Sequence, residues 1–418
     1  MDLRDASYLG LSAVAGGMAR ALRRGLPKGW GLRLEARPPE GLPPGGWIWV
    51  HAVSVGELLV AEGLVLRLRD LGHRLHLSTG TLGGLDLLAR RLETWDDGRG
   101  QVSGGGFPFD DPEGLRPWIG ARPGLFLALE TELWPGLMRG LAGAGIPSAL
   151  VNARLTDRTR RNPFAAVAAR RFSLVAARDG ESAEGFRALG APRVALAGNL
   201  KADLPPPPPL HPGWAPLATA WSGDPVLVAG NTLEGEEAQM LDLWRALRGR
   251  WPSLRLILAP RQPKRFEAVA ALLAGEAFRR ASAPWPEGPR DWAGVNLLLL
   301  DTLGELSRAY GLGTVALVGG GWAGEGGHNP LEPLRWGVPT VLGPGFRNFE
   351  DLVLPLRDHA RMSVVEAGAL EDAVSAFLTH GPLRASGAPD PALTGLLGAT
   401  DRTLDLLAPL LPEPPPFA

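Results

Sequence analysis

The chain has 418 residues, 45% of them apolar, and its 43 basic and 44 acidic residues leave a formal net charge of −1. That length implies two or three domains with apolar material for more than one core, and the balanced charge argues against general nucleic-acid binding, which shows as a basic excess. With no cysteine there can be no disulfide and no thiolate site, and the seven histidines (51, 73, 76, 211, 328, 359, 380) show no HxxxH-type spacing, so no metal centre is expected.

Taken in chain order, the first element is a moderately apolar stretch, 8–26, with Arg20, Arg23, Arg24 and Lys28 in it or close behind. It is too short and too polar to span a bilayer and lacks the cleavage site of a signal peptide. Two readings stay open, an ordinary surface helix and a helix lying on an anionic membrane. Apolar runs at 47–52, 74–78, 125–129, 148–151 and 174–177 then read as strands, with helical patterns such as 58–71 and 84–92 between them. This alternation marks a parallel sheet covered by helices on both faces. Five prolines, 205–209, interrupt it as a stiff linker. The alternation restarts at 226–229, 254–259, 296–300, 314–318 and 340–342.

The expected architecture is therefore α/β, with two Rossmann-like, doubly wound domains facing across a cleft, the GT-B arrangement of glycosyltransferases. Its parts are an N-terminal helical segment (1–30), a first Rossmann-like domain (31–204), the proline-rich linker (205–213) and a second Rossmann-like domain (214–418). The last helix is free to pack back on the first domain. Ligands are expected at the carboxyl ends of the strands.

Acidic residues stand at those ends. In WIWVHAVSVGELL a strand turns into a helix opening at Glu57, where the helix N-terminus favours an ionised carboxylate. Glu57 suits a general base, although glutamate in a first helical turn is also a common structural choice. In LFLALETELWP, Glu130 follows a strand directly and Glu132 lies two residues on, a pair that packing explains less easily. The most informative stretch is GWAGEGGHNPLE, 321–332, after the apolar run 314–318. A glycine-rich turn leading to a helix start at Asn329–Pro330 presents unpaired backbone N–H groups to an anion. Glu332, in the first helical turn, can meet sugar hydroxyls. The alternative is a turn that serves only tight packing.

An ordered series of motifs resembles the Kdo transferases, which move 3-deoxy-D-manno-octulosonic acid (Kdo) from CMP-Kdo to a lipid A precursor. The series is HAVSVGE (51–57), FPFD (107–110), ETELWP (130–135), NARLTDR (152–158), GNLKAD (198–203), EGEE (234–237), PRQPKRF (260–266), DTLGEL (301–306), VGGGWAGEGGHNPLEP (318–333) and NFED (348–351). The resemblance implies an inverting glycosyltransferase of lipopolysaccharide synthesis, peripheral or monotopic at the cytoplasmic face of the inner membrane. It implies Glu57 as general base, Glu130 and Lys201 as transition-state stabilisers, and CMP contacts from Pro260, Arg261, Leu303, Gly304, Glu305, Asn329, Pro330, Leu331 and Glu332. Acceptor contacts would come from Ser54, Gly56, Arg154 and Arg158. CMP-Kdo is then a co-substrate, no cofactor or metal is expected, and the partners are a CMP-sugar and an anionic lipid.

Departures from the family pattern surround the donor motifs: Asn231-Thr232-Leu233 for Ser-Thr-His, Gln262 and Gly345 for histidines, Gly321 for serine, and Ala202 for an aromatic. They open the alternative of another CMP-activated ulosonic acid or another acceptor, and more remotely a catalytically silent nucleotide- or lipid-binding protein. Other residues have two readings each. His328 either orients its loop or touches phosphate. Arg154, Arg158, Arg160 and Arg161 form either a solvated loop or a phosphate-binding run. In DTLGEL, Asp301 or Thr302 is expected to cap a helix with Glu305 in its first turn.

Overall fold

The computed structural model describes residues 3–22, 28–98, 100–203, 212–292, 294–380, 393 and 396–414. The chain divides into two compact units, one running to Asp203 and including the segment from Leu397 onward, the other spanning 204–396. The proline run 205–209 lies outside the described residues, as do Arg23 and Arg24.

The first unit is a seven-stranded, all-parallel sheet. Its strands are β1 (Trp47–His51), β2 (Arg74–Thr79), β3 (Val102–Gly106), β4 (Leu125–Leu129), β5 (Ser148–Ala153), β6 (Leu174–Ala177) and β7 (Val194–Leu196), in the order β3-β2-β1-β4-β5-β6-β7. The inner strands are apolar on both faces because both faces are covered. In β1, Ile48 and Val50 join one core with the helices Val55–Asp70 and Leu82–Asp96, while Trp47 and Trp49 join the opposite core with Phe107, Trp118 and Phe126. The second unit repeats the plan with β8 (Val226–Thr232), β9 (Arg255–Pro260), β10 (Phe278–Arg280), β11 (Leu297–Leu299), β12 (Val315–Val318), β13 (Thr340–Leu342) and β14 (Met362–Val364), ordered β10-β11-β9-β8-β12-β13-β14. Strand order reverses between β1 and β4 in one sheet and between β8 and β12 in the other. Crevices for ligands open at such points, at the carboxyl ends of the strands.

Helices outside the alternation also pack on the first unit. Helix Leu3–Ala21 is docked by Tyr8, whose hydroxyl donates to Asp110 at 2.6 Å, and by Arg20, which forks onto Asp111 at 2.8 and 2.9 Å. Gly16 permits this approach, since a Cβ there would lie 2.5 Å from the Asp111 carboxylate. The opposite face leaves Leu11, Val14, Met18 and Leu22 between 58% and 64% exposed. Among the described residues, no helix is long and apolar enough to cross a membrane. Near the other end of the chain, helix Ala399–Leu407 buries Ala399, Leu404 and Leu407 in the core shared with Leu64 and Leu68. Asp203 receives the Gly398 amide at 2.6 Å and the Thr400 amide as well.

Candidate active site

In the first unit, Ser54 caps helix Val55–Asp70, and the Glu57 carboxylate turns back to accept the Val53 amide at 2.6 Å. This is a capping box displaced by one residue, so Glu57 has a structural task as well. The helix N-terminus does not keep it ionised. Burial pushes its carboxyl up to about 8, Glu132 and Glu130 add to the rise, and the Val53 amide and Lys201 only partly oppose it. Gly56 is exposed in the same first turn, with only Ser54 Oγ near the place of a Cβ, at 3.9 Å.

Glu130 and Glu132 diverge despite their spacing. Glu130 sits just past β4 with φ +54°, a left-handed conformation that is costly for glutamate, and it pairs with Lys201 Nζ at 3.2 Å. Lys201 rides on the short turn Leu200–Ala202, held by Asn199 Oδ1 on the Lys201 amide and by Asn152 Oδ1 on the Leu200 amide, both at 2.9 Å. Asn152, fully buried, is itself left-handed (φ +50°) where the β5–β6 register shifts. Glu132 instead faces His51, Oε2 to Nε2, at 3.7 Å. The Arg154 amide donates to the Glu130 carbonyl, Arg158 is exposed, and Arg160 pairs with Glu181 at 2.7 Å, which draws that arginine out of any free basic run. The aspartate of FPFD was not among the expected site residues. Asp110 accepts the amides of Gly136 and Leu137 at 3.0 and 2.6 Å, and so fixes the helix that follows ETELWP.

In the second unit, several N–H groups at the start of the glycine-rich turn already have a partner within the chain. The buried carboxylate of Glu236, from EGEE, accepts the amides of Gly320 at 2.8 Å, Ala323 at 3.0 Å and Trp322 at 3.1 Å, and also that of Leu233 at 3.0 Å. A carboxylate side chain of the chain itself thus occupies this part of the turn. The helix start differs too: the helix is a single turn, Leu331–Leu334, with Pro330 at the cap position and Asn329 Oδ1 accepting the Leu331 amide at 3.0 Å. Glu332 lies in that turn, its carboxyl pushed up by burial against the pull of Arg261 and Arg335.

Pro260 ends β9, and the Arg261 amide bonds the Thr232 carbonyl at 2.9 Å while its side chain is exposed. Burial, aided by Arg261, lowers His328 to about 4, so its ring is neutral at physiological pH. In DTLGEL, Asp301 does not cap a helix, because it is engaged by Arg280 and Ser282. Glu305 takes the cap position of helix Leu306–Ala309 and receives Thr302 Oγ1. Leu303 is 71% exposed, and Gly304 adopts φ +85°. Two departures from the family pattern meet each other: the Gly345 amide donates to the Gly321 carbonyl at 3.1 Å, and a Cβ on Gly321 would come within 2.9 Å of the Gly343 backbone.

The family profile described as 3-Deoxy-D-manno-octulosonic-acid transferase (kdotransferase) matches residues 25–204. The 3-deoxy-D-manno-octulosonic acid transferase of Haemophilus influenzae is 35% identical over 385 residues, covering 88% of each chain. That of Bordetella pertussis is 34% identical over 400 residues, covering 90% of this chain and 89% of its own. The solved UDP-GlcNAc 2-epimerase of Neisseria meningitidis superposes with a TM-score of 0.52 at 11% identity, over 87% of this chain and 99% of its own, and shares the two-unit GT-B fold. With identity of this level sustained along nearly the whole length of two relatives, the chain belongs to the 3-deoxy-D-manno-octulosonic acid transferase family.

Proposed function

We propose that the protein is an inverting glycosyltransferase that moves Kdo from CMP-Kdo to a lipid A precursor. The observation that carries this reading is the grouping of Glu57 with the Glu130–Lys201 ion pair at the carboxyl ends of β1 and β4, in a chain of this family. Glu57 takes the proton of the acceptor hydroxyl. The resulting oxygen attacks the anomeric carbon of Kdo as the bond to phosphate breaks, and CMP departs with the electron pair. A carboxyl titrating near 8 is matched to that task, since a general base works best with a pKa close to the operating pH. Lys201, steadied by Glu130, offers positive charge to the developing phosphate charge. Arg261, Asn329 and Glu332, with the turn Leu303–Glu305, form the proposed CMP contacts; the positive charge that meets the leaving phosphate comes from Arg261 and Lys201, and Glu332 meets the ribose hydroxyls.

The second reading keeps the chemistry and changes a substrate. Asn231, Leu233, Gln262, Gly321 and Gly345 replace family residues around the donor segments, which suits another CMP-activated ulosonic acid. For location, the exposed stripe Leu11, Val14, Met18 and Leu22, followed in sequence by Arg23, Arg24 and Lys28, supports peripheral contact with the cytoplasmic face of the inner membrane. The discriminating experiment presents CMP-Kdo, other CMP-ulosonic acids and UDP-sugars with a lipid A precursor, using Glu57→Gln as control. Transfer from CMP-Kdo alone supports the first reading. Transfer only from another CMP-sugar selects the second, and no Glu57-dependent transfer from any donor overturns both.

A further inference from the structure

Helix Lys28–Glu35 lays Arg33 across the segments that leave β3 and β4. Its guanidinium carbon lies 4.7 Å from the ring centroid of Trp134, 5.2 Å from that of Phe109 and 5.5 Å from that of Phe107. Rings packed on a guanidinium hold its plane but take none of its N–H groups. Of these, Nη2 donates to the Pro108 carbonyl at 3.1 Å. Nε is buried without a hydrogen-bond partner, and Nη1 has none among the described residues. No described carboxylate comes within ion-pair distance either. Asp110 and Glu132 lie in the field of Arg33, but both are engaged elsewhere. Asp110 accepts the Tyr8 hydroxyl and the amides of Gly136 and Leu137, and Glu132 faces His51. A cation that has lost much of its water in exchange for one neutral carbonyl is under-compensated.

Its surroundings indicate what completes it. Phe107 and Trp134 also flank the ring of His51, with centroids 3.6 and 6.2 Å away, and His51 ends β1 just before the turn to Ser54 and Glu57. Arg33 therefore stands at the same carboxyl ends as Glu57 and the Glu130–Lys201 pair. Glu57, Glu130 and Glu132 gather there and would repel an anionic acceptor, while Lys201 is already held by one of them. We propose that Arg33 is a binding residue for the acceptor, its open N–H groups gripping an oxyanion on the entering sugar, a phosphate or a carboxylate, while a hydroxyl of that sugar faces Glu57. A guanidinium fixed in its plane presents parallel donors, the arrangement that both oxyanions accept. This rests on the acceptor entering beside Glu57, as proposed above.

Calorimetry at matched ionic strength tests the assignment with three probes. They are a deacylated, phosphorylated lipid A precursor, its phosphatase-treated product, and free Kdo, which carries a carboxylate. Arg33→Met keeps an apolar stem over the rings and removes the charged fork. It should weaken an oxyanion probe roughly tenfold or more, the worth of a charge-assisted hydrogen bond, and leave the dephosphorylated probe unchanged. Loss with the phosphorylated probe assigns a phosphate, and loss with Kdo alone assigns the carboxylate. Arg33→Lys keeps the charge without the fork and should fall between. If Arg33 served only to balance Asp110 and Glu132, its replacement would shift all three affinities alike or none, and either result overturns the proposal. Where Arg33→Met fails to fold, Arg33→Lys is judged by the same comparison of probes. Because the readout is binding, it stands apart from the donor screen. Transfer without Arg33-dependent binding overturns this proposal alone. Arg33-dependent binding without transfer from any donor keeps the anion site while the glycosyltransferase reading falls.

Discussion

Asn152 Oδ1 accepts the Leu200 amide at 2.9 Å, and this bond from a buried strand end fixes the turn that delivers Lys201 to Glu130. Asn152→Ala removes the bond and places alanine at φ +50°. The lost buried hydrogen bond should cost about 1–3 kcal/mol in denaturant unfolding. Asn152→Gly relieves the backbone without restoring the bond, so it should recover stability only in part. Turnover should fall in both. Unchanged stability and turnover in the alanine variant would show that the turn is held by other contacts.

Glu57→Gln should leave CMP affinity near that of the unaltered chain while transfer falls roughly 10²–10⁴-fold, the usual cost of losing a general base. The amide keeps the size of the side chain but cannot take a proton. Near-normal turnover at saturating donor and acceptor would remove Glu57 from the role.

The same residue makes a prediction about stability. Its carboxyl is raised in the folded protein to about 8, above the ordinary glutamate value, so the protonated form is the one folding favours. The contribution is fully present below the unfolded pKa and is lost as pH rises through about 8. Glu57→Gln, which cannot ionise, should therefore gain in Tm relative to the unaltered chain between pH 6 and pH 9. A difference in Tm that stays constant across that range would contradict the raised value.

Arg261→Ala and Glu332→Ala should each weaken CMP binding by about 1.5–3 kcal/mol in calorimetry, the worth of a charge-assisted hydrogen bond. The two side chains act on each other electrostatically, so the double variant should fall short of the sum. Unaltered affinity in both single variants would place the nucleotide elsewhere.

The proposed membrane contact is best tested on the surface of helix Leu3–Ala21 and its following turn. Deleting residues 1–28 should abolish salt-sensitive binding to anionic vesicles, yet it also strips Asp110 and Asp111 of their Tyr8 and Arg20 partners. Changing Leu11, Val14 and Met18 together to serine keeps those bonds. Sedimentation with anionic vesicles at matched ionic strength should show a sharp loss of binding, while transfer to a water-soluble acceptor analogue survives. Equal vesicle binding by the triple variant would move the docking surface elsewhere, with the exposed Arg158 and Arg161 as the next place to look.

The inner strands were legible because strands covered on both faces must be apolar throughout. The strands that apolar runs did not reveal, β3, β7, β10 and β14, are the four sheet edges. They are three to five residues long and mostly only partly buried, β3 reads VSGGG and β10 FRR, and the three apolar residues of β7 are too short a run to stand out. The acids of the first unit were legible from their position at strand ends, but their partners were not. His51 at the end of β1 and Glu132 just past β4 meet because those two strands are neighbours, a relation that sequence spacing does not encode. The partner of the glycine-rich turn was hidden for the same reason: the side chain that accepts the Gly320, Trp322 and Ala323 amides is Glu236, some eighty residues upstream, and only the fold brings them together. Gly321 and Gly345 look like two separate losses in sequence, yet in space they are one local closing of backbone on backbone.

The first unit's core is finished by residues that leave the ribosome after the whole second unit. Ala399, Leu404 and Leu407 fill space beside helix Val55–Asp70, and Asp203 waits for the amides of Gly398 and Thr400. During synthesis the sheet of the first unit therefore lacks this part of its covering until the second unit has been translated. A fragment ending at Asp203 should expose an apolar strip where that helix belongs and aggregate, whereas the same fragment fused through a short linker to residues 397–414 should fold.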